Sequence, residues 1–271
     1  MISQKKPYNV MQIAEDLFAI QENSVRCFLL IGREAALLID TGFGTGNLRA
    51  EVEKITKLPV IVANTHSDPD HIGANLQFER AYLHTSEFSR YRDIERNLNA
   101  SDSILTESPP VDENAPAENE DAFEYSVEKP KDKPLTLVPM WESDFINIGG
   151  GMLEVILLPG HTPGSVAFLE RNNGILFAGD TVLSDCVYMF NDRIHRGRNM
   201  EAYVYSLEKL LCMKNELKTI YCSHQALTFP VNMIEQLAKG ARQILEGEIE
   251  GHIPSDSPYA IYDIGVTKVF Y

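Results

Sequence analysis

The sequence predicts a mixed α/β fold that carries metal-binding side chains at the ends of its strands. Two parts of the chain are rich in short apolar runs, which are typical of buried strands. Residues 47–57 and 200–213 instead repeat apolar side chains at helical spacing. Several predicted strands end in histidine or aspartate, most densely in residues 64–73. These observations point to a scaffold of strands and helices that supports one polar site.

The first half of the chain is mainly predicted strand. The predicted strands are residues 10–20, 25–31, 35–39, 60–63 and 81–84. The predicted helices are residues 47–57, 74–78 and 86–98. Asp40 and Gly42 follow the third strand, where a carboxylate and a glycine suit a tight loop beside a functional site. An ordinary strand-to-helix turn explains them as well, and the two explanations are compatible.

Residues 64–73, N-T-H-S-D-P-D-H-I-G, are the most informative stretch of the sequence. Within six residues they contain His66, Asp68, Asp70 and His71, all of which can bind a metal through nitrogen or oxygen. Pro69 predicts a turn here rather than a continuing strand or helix. One histidine beside one aspartate would indicate only a polar turn. Two of each after a buried strand favour a metal site.

Residues 100–134 differ in composition from the rest of the chain. They are acidic and rich in proline, and residues 107–128 contain no lysine or arginine. Such a segment buries too little apolar surface to offset the entropy lost on ordering. We therefore predict a single domain over residues 1–271 that carries an insertion at about 100–134. The insertion is either a mobile surface segment or an active-site lid.

The second half is also rich in predicted strands. These are residues 135–138, 145–148, 153–158, 165–170, 175–178 and 219–222, followed by a hairpin of 259–264 and 267–271. Residues 200–213 and 231–246 are the predicted helices. Three strand ends in this half deliver further candidate ligands, which are His161, Asp180 and His224.

Composition restricts the partners and the compartment. The formal net charge of −15 and the pI of about 4.9 argue against non-specific binding to nucleic acid or to an anionic membrane. No long apolar segment follows Lys5 and Lys6, so we expect no signal peptide, and no apolar run is long enough to predict a membrane span. Its four cysteines are scattered and form no C-x-x-C motif. We expect reduced cysteines, a cytoplasmic location and a small-molecule substrate, including an anionic one.

Five motifs in chain order resemble one enzyme family. They are Asp40, T-H-S-D-P-D-H at 65–71, P-G-H-T-P-G at 159–164, A-G-D-T at 178–181 and S-H at 223–224. Together they closely resemble the metallo-β-lactamase superfamily of metallohydrolases, over about residues 10–246. The resemblance implies an αββα sandwich with two central sheets, helices outside and metals at one rim.

The resemblance also implies a binuclear centre with two divalent metal ions, for which zinc is favoured. The first metal position would use His66, His161 and Asp68. The second would use Asp70, His71 and His224. Asp180 would bridge the two ions, and Asp40 would orient the loop or a ligand histidine.

Asp68 departs from the usual family motif, H-x-H-x-D-H, in which a second histidine occupies this place. Two divalent ions with Asp70, Asp180 and a bridging hydroxide carry a net charge of about +1. A ligated Asp68 would make the centre neutral, weaken its Lewis acidity and let it tolerate iron or manganese beside zinc. Alternatively, Asp68 faces solvent and leaves the first position short of a ligand.

The expected chemistry is attack by a bridging hydroxide on an electrophilic carbonyl carbon or phosphorus atom. Asp70 would orient the hydroxide or receive its proton. Tyr188 and His195 are candidates for protonating the leaving group or for contacting the substrate. Residues 193–198 form a basic island in an acidic chain. The island either binds a carboxylate or phosphate group at the opening of the metal site, or it is a solvated loop that pairs with nearby acidic residues.

A hydrolase of small esters, thioesters or lactones is the favoured function. Hydrolysis of a phosphodiester or a β-lactam fits less well, because the chain lacks a basic surface and an export signal. A di-iron oxidoreductase is the main alternative, since the flavo-diiron branch of the family carries a carboxylate at the place of Asp68. Against it, the sequence has no flavodoxin domain and no flavin motif. A non-enzymatic binder with a degraded site is the third possibility.

Overall fold

Two β-sheets pack face to face, with helices on both outer surfaces. The computed structural model describes residues 7–100, 135–191, 197–255 and 258–271, with side chains omitted at 97–100. The order of layers is helix, sheet, sheet, helix, so the predicted αββα sandwich is confirmed. Both sheets direct the carboxyl ends of the strands that precede the candidate ligands to one rim, and this geometry positions the candidate site.

The first sheet has seven strands in the described residues, arranged in chain order. They are β1 (Asn9–Ala14), β2 (Leu17–Glu22), β3 (Val25–Ile31), β4 (Ala36–Ile39), β5 (Val60–Ala63), β6 (Arg80–His84) and β7 (Thr136–Met140). Strands β1 to β4 pair antiparallel, whereas β4 to β7 pair parallel. The parallel strands need crossovers, and the helices of this half lie between them.

The second sheet is smaller and mostly antiparallel. Its strands are β8 (Phe145–Asn147), β9 (Met152–Leu157), β10 (Val166–Glu170), β11 (Ile175–Phe177), β13 (Thr219–Tyr221) and β14 (Thr228–Phe229). Their order is β14-β13-β11-β10-β9-β8, and β11 pairs parallel with β13. A separate small sheet has the order β12-β16-β15 and consists of β12 (Cys186–Tyr188), β15 (Ile261–Asp263) and β16 (Lys268–Phe270).

Apolar side chains fill the space between the sheets and beneath the helices. Phe28 and Ile39 of the first sheet pack with Phe168 and Phe177 of the second in one buried cluster. Helix α1 (Leu48–Ile55) covers the outer face of the first sheet, together with α3 (Phe88–Ala100). Helices α4 (Met200–Met213) and α5 (Ile234–Leu245) cover the second. Each layer thus buries one apolar face, which is the main stabilising contribution.

Three predictions about local structure were wrong. Residues 10–20 form two strands, β1 and β2, because the chain turns at residues 15–16 within an apolar run. Strands β12 and β14 were missed, since runs of three and two residues carry too little periodicity to detect. Pro69 does not break helical structure but begins a short helix, α2 (Pro69–Ile72). A proline is well tolerated there, because the first helical residue needs no N–H partner within the helix.

Residues 101–134, most of the predicted insertion, lie outside the described residues. The choice between a surface segment and a lid therefore stays a prediction. Among the helices of the described ranges, none is long and apolar enough to cross a membrane.

Candidate metal centre

The predicted ligands meet at one rim of the sandwich. Asp40 follows β4, residues 64–71 follow β5, and His161 follows β9. Asp180 comes after β11 and His224 after β13. Since β4 and β5 are parallel, as are β11 and β13, their carboxyl ends lie side by side. The two sheets together bring residues that are up to 184 positions apart in sequence, Asp40 and His224, into one cluster.

The loop after β5 is fixed by hydrogen bonds to its main chain. The carbonyl of His71 accepts hydrogen bonds from the Thr41 amide (2.8 Å) and from the Asn64 side chain (2.9 Å). The amide of Gly73 donates to the carbonyl of Gly42 over 2.8 Å. These contacts tie the ligand loop to the loop after β4. The position of Asp70 and His71 is therefore set before any metal binds.

Four imidazoles at the rim each have a hydrogen-bond acceptor for Nδ1. The pairs are His66 with Thr65 Oγ1 (3.0 Å), His71 with Asp40 Oδ2 (2.8 Å), His161 with the Tyr188 carbonyl (3.0 Å) and His224 with the Ser24 carbonyl (2.8 Å). An acceptor at Nδ1 selects the tautomer in which the proton is on Nδ1, which leaves the lone pair on Nε2 for a metal.

The Nε2 atoms and the nearby carboxylates face one another. The Nε2 atoms of His71 and His224 are 3.3 Å apart. His66 Nε2 and Asp180 Oδ1 are buried without a hydrogen-bond partner. A buried polar atom with no partner costs about 1–3 kcal/mol, so its presence calls for an explanation. A cation among these atoms provides one.

Three groups of ligand atoms lie within 4.8 Å of one another. They are His66 with Asp68 and His161, Asp70 with His71 and His224, and His66 with His71 and Asp180. Imidazole nitrogen and carboxylate oxygen suit zinc, iron and manganese. The residues therefore fit the two metal ions expected from the sequence, and the first two groups correspond to the two predicted metal positions.

The carboxylates and arginines of the centre shift the pKa values of the histidines in opposite directions. Burial lowers the pKa of His224, but Asp180 and Asp70 outweigh it and raise the pKa to about 10. Burial and the nearby Arg198 lower the pKa of His161 to about 4. His161 is thus a neutral imidazole at neutral pH. Negative charge is concentrated around Asp70 and Asp180, which favours a cation there.

Asp68 is buried and held by two arginines, which excludes the alternative in which it faces solvent. Its side chain is 7% exposed and forms ion pairs with Arg90 through Oδ1 and with Arg198 through Oδ2 at 3.1 Å. Burial would raise the pKa of Asp68, but Arg90, His66 and His161 hold it well below its usual range. Oδ2 is also 3.3 Å from His161 Nε2, within reach of a shared metal.

The arginines also change the predicted charge of the centre. Glu87 is fully buried, lies 3.9 Å from Arg90 and accepts hydrogen bonds from Ser67 and from the Gly164 amide. The negative charges of Asp68 and Glu87 cancel the positive charges of Arg90 and Arg198. Asp68 together with these partners is therefore neutral, as a single histidine side chain would be. Our expectation that Asp68 removes the positive charge of the centre was therefore wrong, because it left these partners out.

The sequence also gave no indication of a role for Arg26. This buried side chain donates hydrogen bonds to the carbonyls of Cys222 (2.6 Å) and Gln225 (2.9 Å), on either side of His224. Its amide donates to the carbonyl of Ser223. Arg26 therefore holds the loop that carries His224. In the sequence it is a single arginine at the second position of an otherwise apolar strand.

The structure does not place Tyr188 or His195 in the role expected from the sequence. The Tyr188 ring packs against Phe190 and Phe270, and burial raises the pKa of its hydroxyl. Its carbonyl, rather than its hydroxyl, is the group seen at the centre. His195 lies outside the described residues, as does most of the basic island. Both proposed roles stay predictions, whereas Arg198 at the end of the island pairs with an acid, Asp68.

Comparison with known proteins agrees with this geometry. The family model described as the metallo-beta-lactamase superfamily matches residues 20–224, which is most of the chain. The chain belongs to the metallo-beta-lactamase superfamily. A crystal structure of a metallo-beta-lactamase family protein from Thermus thermophilus superposes with a TM-score of 0.61 at 24% identity, over 88% of this chain and 83% of the other. This likeness bears on the fold alone.

Curated relatives of this chain are named as hydrolases. Acyl-coenzyme A thioesterase MBLAC2 of Homo sapiens is 29% identical over 196 residues, which are 65% of this chain and 66% of the relative. Hydroxyacylglutathione hydrolase GloC of Haemophilus influenzae is 28% identical over 170 residues, 60% of this chain and 68% of the relative. The match thus spans about two thirds of each relative's length.

Proposed function

We propose that the chain is a metal-dependent hydrolase of small thioesters, using two divalent ions held by the histidines and aspartates of the rim. The observation that carries the proposal is the set of imidazoles whose Nδ1 atoms are all engaged and whose Nε2 atoms face a common space. That arrangement is built to bind metal rather than to stabilise the fold, because it leaves buried polar atoms without partners.

The substrate class comes from the relatives. An acyl-coenzyme A thioester and a hydroxyacylglutathione differ in their carriers, but both join an acyl group to a thiol through a C–S bond. We therefore narrow the ester, thioester and lactone classes expected from the sequence to thioesters. Hydrolysis forms a carbon–oxygen bond to water, breaks the carbon–sulfur bond and releases a carboxylic acid and a thiol.

The metal ions would be held by His66, His161 and Asp68 on one side and by Asp70, His71 and His224 on the other, with Asp180 between them. When bound, such ions lower the pKa of a water molecule and polarise a carbonyl group. Zinc is the proposed metal, and iron or manganese also suit these ligands.

The residues of the chain supply orientation and a place for a proton. Asp40 accepts a hydrogen bond from His71 Nδ1, and two hydrogen bonds from Thr65 fix Asp40 in turn. Asp70 has a side chain that is 22% exposed, and its Oδ2 lies 3.2 Å from His224 Nε2. It is the most accessible carboxylate of the centre and is the proposed acceptor of the proton lost by water. The thiolate leaving group takes up a proton from solvent or from a side chain.

The compartment follows from the cysteines. All four lie within the described residues and are free thiols. Free thiols on and below the surface suit a reducing compartment, so we propose the cytoplasm. The proposed partner is a small anionic substrate, rather than nucleic acid or a membrane, in view of the net charge of −15.

A substrate panel tests the proposal. Purified zinc-loaded chain is assayed with an acyl-coenzyme A, a hydroxyacylglutathione, a lactone, an aryl ester, a phosphodiester and a β-lactam. We expect turnover of at least one thioester, with a higher kcat/KM than on the other classes. Turnover of the phosphodiester or β-lactam alone would contradict the thioester proposal. A tightly bound iron pair without any hydrolysis would favour the redox alternative.

A further inference from the structure

Three buried charged residues and one partly buried arginine form a cluster next to one metal position, and we call it the Asp68 cluster. It consists of Asp68, Glu87, Arg90 and Arg198. We propose that the arginines of the Asp68 cluster weaken Asp68 as a metal ligand and so make the position at His66 and His161 the weaker of the two. The inference rests on the proposed function, since it takes the rim to bind two ions.

The same oxygen of Asp68 faces both an arginine and the metal position. Asp68 Oδ2 lies 3.1 Å from Arg198 Nη2, 3.3 Å from His161 Nε2 and 3.6 Å from His66 Nε2. Arg90 pairs with the other oxygen. A carboxylate that shares its charge with two guanidiniums attracts a cation less strongly. The guanidiniums themselves repel a cation, and burial leaves this repulsion poorly screened.

The second metal position has no such competitor in the part of the chain that the structure describes. There Asp70 and Asp180 form their close charge pairs with the imidazoles of His71, His161 and His224. In the proposed centre these imidazoles are neutral metal ligands. They therefore do not neutralise Asp70 and Asp180, and both carboxylates keep their full negative charge for the cation. The two halves of the centre therefore differ in charge although their ligand types are alike.

Arg198 is the better arginine to change. Its main-chain hydrogen bonds to Asn191 do not depend on its side chain. The guanidinium lies 5.1 Å from the centre of the Phe190 ring, and its Nε and Nη1 atoms make no hydrogen bond. Asp68 is thus its one ion-pair partner among the described residues. Arg198→Met keeps a similar length and apolar stem but removes the charge.

Metal retention tests the inference without an activity assay. The full-length, zinc-loaded chain is incubated with rising concentrations of a chelator, and the zinc left per chain is measured by mass spectrometry. We expect wild type to lose zinc in two steps. In Arg198→Met, the more easily lost zinc should bind about tenfold more tightly, because one buried positive charge beside it is gone. Arg198→Lys keeps the charge and should stay close to wild type.

A second substitution traces the effect to Asp68. In Arg198→Met with Asp68→Asn, the gain in zinc retention should be smaller than in Arg198→Met alone, because the carboxylate released by the first change is no longer present and only the relief of direct repulsion remains. Arg198→Gln serves as a second uncharged replacement if the methionine variant melts at a much lower temperature than wild type. It carries the same expectation of tighter binding.

The sign of the change separates this proposal from a purely structural role. If Arg198 only shapes the site, its loss should weaken zinc binding or leave it unchanged, and either result in a folded variant overturns the inference. A gain that survives Asp68→Asn undiminished overturns it as well. Wild type that retains no zinc would contradict the proposed function, and the inference with it. Two steps in wild type without a shift in Arg198→Met would contradict the inference alone.

Discussion

Asp40 Oδ2 lies 2.8 Å from His71 Nδ1, and both side chains are buried at the rim where the two sheets meet. Thr65 donates to both oxygens of Asp40, from its amide at 2.7 Å and from its hydroxyl at 2.8 Å. Asp40 has a positive φ of 62°, which is uncommon for a residue other than glycine. The chain thus adopts a less favourable conformation to aim this carboxylate at His71, a candidate metal ligand.

Asp40→Asn should reduce metal affinity and activity together. An amide can still accept one hydrogen bond, but it does not stabilise the His71 tautomer as a carboxylate does. Loss of such a partner typically costs about 10- to 100-fold in metal affinity or activity. We expect kcat/KM on the best thioester to fall within that range. Asp16→Asn, at an exposed turn, is the matched control and should behave as wild type. Equal activity of Asp40→Asn and wild type would contradict the orienting role.

Glu87→Gln should destabilise the fold near the centre. Glu87 is fully buried and joins the ligand loop at Ser67 to the loop after β9 at Gly164. The glutamine side chain replaces one acceptor oxygen with a donor, so one of the amides loses its partner. We expect the free energy of unfolding to fall by about 1–3 kcal/mol, measured by denaturant titration. Glu53→Gln, at a surface ion pair with Arg49, should change it by less than about 1 kcal/mol.

Arg26→Met should impair the centre through the His224 loop. The guanidinium fork donates to two main-chain carbonyls that flank His224, and an apolar side chain leaves both without partners. We expect a lower melting temperature and less zinc retained per chain. Arg26→Lys should rescue this only partly, because an ammonium group cannot reproduce the fork.

Arg171→Met is the control for the Arg26 variants. Its partially exposed side chain pairs with Glu154 and Glu216, neither of which belongs to the metal centre. We expect its zinc retention to match wild type. If Arg26→Met also retained wild-type zinc, the His224 loop would not depend on Arg26.

Gly73→Ala should disturb the ligand loop. A Cβ atom at this position would lie 2.1 Å from the carbonyl oxygen of Phe43 and 2.7 Å from that of Gly42. Both are main-chain atoms, so the loop after β5 must move. Forced overpacking costs about 1–3 kcal/mol, and we expect lower activity as well, since Asp70 and His71 belong to this loop. At Gly151 an added Cβ would meet only side-chain atoms at 3.5 Å, so Gly151→Ala should keep both stability and activity.

The sequence was informative where a ligand stands at the end of a strand. Helix α4 and strand β5 have the predicted bounds, and every described candidate metal ligand lies at the rim. Apolar periodicity and short motifs are local signals, so a single sequence contains them.

Contacts between distant segments could not be read from the sequence. Arg198 lies 130 positions after Asp68, and nothing local to either residue indicates the other. Glu87 lies just before helix α3 and Arg90 lies within it, and the helix has an ordinary polar pattern. Because the charge of the centre depends on these partners, the charge expected from the sequence left out Arg90, Arg198 and Glu87.

Rates before and after metal removal test the central claim most directly. The rate of hydrolysis of a thioester and the zinc content are measured on the same samples of wild type, Asp180→Ala and Asp16→Asn. The measurement is repeated after chelation and after zinc is restored. We expect wild type and Asp16→Asn to lose and regain activity in step with zinc. Asp180→Ala should lose more than about 100-fold, beyond the effect of losing a ligand's outer partner. A wild-type rate that persists without metal, or an Asp180→Ala variant as active as wild type, would contradict the account.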